Sequence, residues 1–128
     1  MVSRRFGFVC GCFDVFHDGH RRFLVEAKKH CDQLMAAVNE DASVRRLKGP
    51  GRPVRKVLDR MMDVAQIADV VTGFDGDERT LIKRVNPDIV IRGWDQDFWM
   101  EGFVLAPAYL QLPRFVAVST TSILESVR

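Results

Sequence analysis

The chain is poor in the residues that mark special classes of protein. Its 128 residues include three cysteines, five prolines, one tyrosine and two tryptophans, with no internal repeat and no low-complexity stretch. Cys10 and Cys12 are not a CxxC pair, and Cys31 leaves the count odd. A disulfide framework or cysteine metal site is therefore disfavoured against buried thiols in a reducing cytoplasm. No window approaches the ~20 apolar residues that a transmembrane helix needs. The opening MVSRRFGFVCGCF has two arginines, but its apolar run is short and soon broken by Asp14 and His17, unlike a secretory leader. A single cytoplasmic domain over residues 1–128 is expected, long enough to bury one contiguous core.

What is abundant is charge, unevenly placed. The formal net charge is +2. Between Arg45 and Arg60 lie seven basic residues (Arg45, Arg46, Lys48, Arg52, Arg55, Lys56, Arg60) and one acid, Asp59. That leaves twelve basic against sixteen acidic residues elsewhere, a net of −4. One basic block on an acidic body suggests a local anionic ligand, although a solvated helix face is the ordinary reading of a charge run. The run is interrupted by Lys48-Gly49-Pro50-Gly51-Arg52-Pro53, which is loop chemistry. It lacks interleaved aromatics, so nucleic acid is not an expected partner.

Hydrophobic patterning alternates strand and helix. Phe6-Gly7-Phe8-Val9-Cys10, ending at Gly11, predicts a buried strand. From Asp18 to His30, Phe23, Leu24 and Ala27, with Cys31 just beyond, share one helix face. Leu34–Val38 predicts a second strand, and Asp41 or Ser43 is the expected cap of a short helix through Leu47. Val57, Leu58, Met61, Met62, Ala65 and Ala68 mark a longer helix. Asp69–Phe74 predicts a strand, Glu78–Val85 a helix, and Ile89–Ile91 a fourth strand. Tyr109–Leu112 and Phe115–Val118 are strand candidates, Ser119 is a candidate cap for a final helix through Val127, and Gly93–Ala106 has no assignable pattern.

This alternation implies an α/β, Rossmann-like three-layer fold, a parallel sheet flanked by helices on both faces. Ligands of such sheets sit beyond the carboxyl ends of the strands. Gly11–His20 and Arg92–Asp95 both follow strand ends.

In Gly11–His20 (GCFDVFHDGH) a strand ends at Gly11 and a helix begins near Asp18, with His17 and His20 three apart on one side of the first turn. N–H groups at a helix start favour an anion, and two imidazoles add donors for phosphate oxygens. Histidines at this spacing also fit a metal ion, or plain structural roles. Local physics leaves all three open.

GCFDVFHDGH resembles the G-x-F-D-x-x-H-x-G-H signature of the cytidylyltransferase-like nucleotidyltransferases, and the likeness spans nearly the whole chain. Ala37–Val54 resembles the heptose 1-phosphate adenylyltransferase branch. Arg60 falls where the family has an arginine at a helix start. Arg92-Gly93-Trp94-Asp95 is similar to the family's loop after the fourth strand. Leu112-Pro113-Arg114 followed by Ser119-Thr120-Thr121 resembles its closing pattern, particularly in glycerol-3-phosphate cytidylyltransferase. Cys12 stands where Thr or Val is commoner, and Trp94 where Gly or Asp often stands.

The resemblance implies transfer of a nucleotidyl group from an NTP to a phosphorylated acceptor, with release of pyrophosphate. His17, His20 and Lys48 would be catalytic, stabilising the α-phosphoryl group. Cys12 and Phe13 would approach the nucleotide through backbone, beside Gly19. Gly93 and Asp95 would lie near base or ribose, and Arg114 with Ser119, Thr120 and Thr121 would hold the β/γ end. Asp14, Lys48 and Arg60 would face the acceptor, with Asp14 also a candidate for positioning the turn or His17 in preference to ligating a metal. Mg²⁺ is expected with the NTP, bridged through phosphate oxygens rather than a protein cage. A homodimer is implied, and no membrane partner. The leading expectation is ATP with a sugar 1-phosphate. Its rivals are CTP with glycerol 3-phosphate or another phospho-alcohol, and a nucleotide-binding module without turnover.

Overall fold

The computed structural model describes residues 4–94 and 106–113. Among them the chain runs β1 (Phe6–Gly11), α1 (Asp18–Lys28), β2 (Gln33–Asn39), α2 (Asp41–Lys48), α3 (Val57–Ala65), β3 (Val70–Phe74), α4 (Glu78–Val85), β4 (Ile89–Arg92) and β5 (Ala108–Gln111). The five strands form one sheet in the order β3-β2-β1-β4-β5, and every neighbouring pair is parallel. Strand order reverses between β1 and β4, which makes the carboxyl ends of those two strands the switch point of the sheet.

The period-2 alternation of the strands explains the layers. Val9, Leu34, Ala36, Val38, Ile89 and Ile91 point to one face, where Leu24 and Ala27 of α1 and Val64 of α3 cover them. Phe8, Cys10, Ala37, Phe74 and Val90 point to the other face, where Ile82 of α4 packs. A strand buried on both faces reads as the continuous apolar run seen in β1 and β4. Connections toward β3 thus cross on the α1/α3 face, and the return to β4 crosses on the α4 face, as right-handed crossovers require. No helix of the described residues is long and apolar enough to cross a membrane.

Element ends depart from the sequence expectations for identifiable reasons. Helix α1 closes at Lys28, with Lys29 as its C-cap, two residues short of His30. Neither Asp41 nor Ser43 caps α2. The cap is Glu40, whose N–H donates to the Phe74 carbonyl at 2.9 Å and so extends the β2–β3 ladder up to the helix. Ser43 lies buried inside α2 and accepts a hydrogen bond from Asn39 Nδ2 at 3.1 Å. Helix α3 stops at Ala65 and not near Ala68, because Asp69 already pairs its N–H with the Leu34 carbonyl at 2.9 Å. The strand expected at Tyr109–Leu112 is shifted by one residue and pairs Ile89 with Ala108 through Arg92 with Gln111. The candidate strand at 115–118 and the final helix lie outside the described residues, as does most of Gly93–Ala106.

At the amino ends of the strands, three carboxylates fix the chain. Asp32 accepts from the Arg5 N–H, Asp69 from the Leu34 N–H at 2.8 Å, and Asp88 from the Phe6 N–H at 2.7 Å. These three acids have structural roles, at the end of the sheet opposite the basic block.

Gly7 is fixed by close packing. A Cβ built there would lie 2.6 Å from Cys31 Sγ and 2.9 Å from Cys31 Cβ. Overpacking of this kind costs about 1–3 kcal/mol. Gly7→Ala should lower the urea unfolding free energy by that amount, and adding Cys31→Ala should recover part of it. An unchanged midpoint would show that β1 and the α1–β2 turn move apart freely.

Candidate active site

The loop between β1 and α1 carries the histidines, and its backbone is strained. Phe13 and Val15 both have φ of 51°. For a β-branched residue such as Val15 this left-handed conformation is a genuine outlier, and such strain persists only where surroundings enforce it. Phe13 is buried in the core with its ring folded over Gly11, where a Cβ would stand 3.3 Å from the ring. Gly11 is thus the residue that lets the loop double back.

His17 is the N-cap of α1 and forms a reciprocal box with His20. The Gly19 N–H donates to His17 Nδ1 at 2.9 Å, and the His17 N–H donates to His20 Nδ1 at 3.3 Å. The rings stack with centroids 4.0 Å apart. His20 also stacks on Phe16 at 5.6 Å and meets the edge of Phe13 at 5.8 Å. A neutral imidazole that accepts at Nδ1 carries its proton on Nε2. The hydrogen-bond network therefore assigns both histidines as Nε2–H donors at the start of α1.

Burial favours the neutral form of both rings. Burial, reinforced by the charges of His17 and Lys48 and opposed by Asp14, drives the His20 pKa down to about 3. Burial also lowers His17, against the pull of Asp18. The Lys48 charge reaches both His20 and Cys12, although Lys48 is an exposed residue at the end of α2.

The basic loop is fastened to the histidine loop by two groups. Asp14, 2% exposed, accepts from Arg52 Nε at 2.9 Å, the Val54 N–H at 2.8 Å and the Arg55 N–H at 3.0 Å. Burial would raise its pKa, but these hydrogen bonds outweigh burial and hold the carboxyl below its usual value. Arg60, fully buried, donates to the Arg55 carbonyl, the Cys12 carbonyl and Asp41 Oδ1, each at 2.8 Å. Arg60, expected to face the acceptor, thus ties β1's loop, the basic loop and α2 together, and Asp14 holds the basic loop. Cys12 is half-buried, its Sγ donating to Asn39 Oδ1 at 3.7 Å, and burial raises its thiol pKa.

At the end of β4, Arg92 is buried and pairs with Glu78 Oε2 at 3.1 Å, while the Cys10 thiol donates to the same oxygen. Gly93 is buried beside it, and its carbonyl accepts from Gln111 Nε2 at 3.1 Å. Trp94 is half exposed. Asp95, Arg114, Ser119, Thr120 and Thr121 lie outside the described residues. Among those described, no three His, Cys, Asp or Glu side chains cluster so as to hold a metal ion.

The structure brings Cys12, Phe13, Asp14, His17, Gly19, His20, Lys48 and Arg60 into one region at the carboxyl ends of β1 and β2. The Gly19 N–H is taken by the His17 ring. Sequence reasoning passed over Arg52, Asn39, Asp41 and Glu78 as individual site residues. Arg52 alone had a signal, as a cation inside the glycine–proline loop.

Comparisons with known proteins bear on this arrangement. The family described as cytidylyltransferase-like matches residues 8–124. The protein named bifunctional protein HldE from Pseudomonas putida is 39% identical over 94% of this chain, and that from Ectopseudomonas mendocina is 41% identical over the same share. In both cases the chain spans 27% of the relative's length. Among solved structures, the lipopolysaccharide core biosynthesis protein from Thermoplasma volcanium superposes with a TM-score of 0.76 at 23% identity, covering 89% of this chain and 100% of that one. A pantoate-beta-alanine ligase from Francisella tularensis gives 0.62 at 12% identity, covering 96% of this chain and 69% of that one. At these identities the two structures establish the fold.

Because folding lowers both histidine pKa values, the unfolded chain binds more protons below the ordinary histidine pKa of about 6.5. Stability then rises with pH across the window from about 3 to about 6.5 and is lost as pH falls through it. Between pH 7 and pH 5 the His20 contribution should be about 2 kcal/mol at most, at ~1.4 kcal/mol per pH unit. Urea titrations at both pH values should show a smaller loss for His20→Gln than for the unsubstituted chain. Equal slopes would refute a buried neutral His20.

Proposed function

Since the chain belongs to the cytidylyltransferase-like nucleotidyltransferases, we propose that it transfers an adenylyl group from ATP to a sugar 1-phosphate such as heptose 1-phosphate. The observation that carries the reading is the pair of Nε2–H imidazoles, fixed by their own helix cap beside Lys48. The choice of ATP and a sugar phosphate rests on the 37–54 segment and on the HldE relatives.

The chemistry asks little covalent participation of the protein. An oxygen of the acceptor phosphate, already anionic, attacks the α-phosphorus in line. A P–O bond forms to the acceptor, the bond to the β-phosphate bridging oxygen breaks, and pyrophosphate leaves with the electron pair. No general base is needed. Charge accumulates on the α-phosphoryl oxygens, and donors that are already aimed stabilise it without reorganising. Neutral histidines suit this role, because each presents one fixed N–H. Lys48 adds the positive charge, and Arg60 and Asp14 keep its loop in place. Gly93, Asp95, Arg114 and Ser119–Thr121 complete the nucleotide side in this reading. Magnesium, with the triphosphate, would neutralise charge on the departing pyrophosphate. A homodimer in the cytoplasm belongs to the same proposal.

Transfer from CTP to a phospho-alcohol is the second reading, favoured by Leu112-Pro113-Arg114 and Ser119-Thr120-Thr121. Pyrophosphate release with ATP, CTP, GTP and UTP over a panel of phosphorylated acceptors separates the two, with ATP and a sugar 1-phosphate expected to be fastest. His17→Ala and His20→Ala should each lower kcat by ~10²–10³-fold, the usual effect of losing one aimed donor, with a smaller loss of ATP affinity. No pyrophosphate with any pair, or unchanged kcat in both variants, would refute the assignment.

A further inference from the structure

Among the described residues, one buried side-chain nitrogen has no hydrogen-bond partner: Nη2 of Arg52. The rest of that side chain is not loose. Its Nε is held at 2.9 Å by Asp14 Oδ2, and it is only 17% exposed. Asp14 cannot readily complete the fork, because the Val54 and Arg55 N–H groups also occupy its two oxygens. A guanidinium carries N–H donors and no acceptor, so only an acceptor atom can satisfy the orphaned nitrogen. Buried donors are almost always paired, and an exception calls for a physical account. The position supplies one. The hydrogen bond to Asp14, a residue of the histidine loop, sets the guanidinium against that loop and not out in solvent.

We infer that Arg52 is a phosphate-binding residue: Asp14 aims its guanidinium, and its unpaired terminal nitrogen receives an oxygen of the acceptor phosphate. The anion's identity rests on the transfer reading above. A terminal guanidinium fork matches phosphate oxygens in a way that an ammonium does not. Arg52 lies on the basic loop that follows α2, on the β2 side of β1. Gly93, the described residue of the nucleotide side in that reading, directly follows β4, across β1 from Arg52. Asp14 is then a positioning residue for Arg52, acting without touching substrate.

The test is steady-state kinetics of Arg52→Ala and Arg52→Lys with ATP and heptose 1-phosphate, beside thermal melting of each variant. Losing a charge-assisted hydrogen bond should raise the acceptor KM by about 10- to 100-fold. The ATP KM should stay within about twofold, and Arg52→Lys should recover only part of the loss. An unchanged acceptor KM overturns the inference, as does an equal rise for both substrates. Should Arg52→Ala fail to fold, Arg52→Lys alone decides, with the same split in KM. Inorganic phosphate titrated against backbone amide spectra keeps the two readings apart. If the unsubstituted chain shows no transfer but phosphate still shifts the Val54 and Arg55 amides, and does so at least tenfold more weakly in Arg52→Lys, the subsite stands while the transfer reading falls. Shifts confined to Gly19 and His20, or equal in the variant, overturn the subsite.

Discussion

The buried carboxylate of Asp14 holds this site together. It sits in the turn after β1 and accepts three hydrogen bonds from residues 52–55, some forty positions along the chain. Without that clamp the glycine–proline loop, which includes Gly49 and Gly51 at positive φ, would have little reason to lie against the histidines. Arg60 closes the same joint from below, joining the Cys12 carbonyl to the Arg55 carbonyl and to Asp41. Buried ionic groups of this kind are poor sources of net stability, since desolvation offsets most of the attraction. Breaking one is costly all the same, because its partner is left charged and unpaired. Both facts fit groups kept for geometry.

Charged groups do different work at the two ends of the sheet. Carboxylates at the amino ends of the strands pin backbone N–H groups, while the basic loop, Lys48 and the start of α1 gather at the carboxyl ends. An anion arriving at the switch point meets fixed donors: two imidazole N–H groups at a helix terminus with its partial positive charge. Burial lowers both histidine pKa values, and at His20 the charges of His17 and Lys48 lower it further.

The sequence made the layers legible because buried parallel strands carry continuous apolar runs and α1 and α4 carry one apolar face each. Element ends were less so. Glu40 caps α2 because β3 pairs with its N–H, a long-range fact that no local pattern encodes. Of the site, His17 and His20 were visible as a spaced pair on a helix start, but not that their Nδ1 atoms accept from the backbone and leave each proton on Nε2. Asp14 and Arg60 were visible as residues of the site and not as its fasteners, since their partners are other loops. Arg52 looked like one more charge in a basic run until its missing partner set it apart.

The central claim is that two neutral histidines present Nε2–H donors from a shared helix cap, and side-chain ¹⁵N NMR of the two imidazoles from pH 4 to pH 8 tests it most directly. Both rings should hold the Nε2–H tautomer at pH 7, with His20 still neutral at pH 5. A protonated Nδ1 on either ring, or a His20 titration near 6.5, would contradict it.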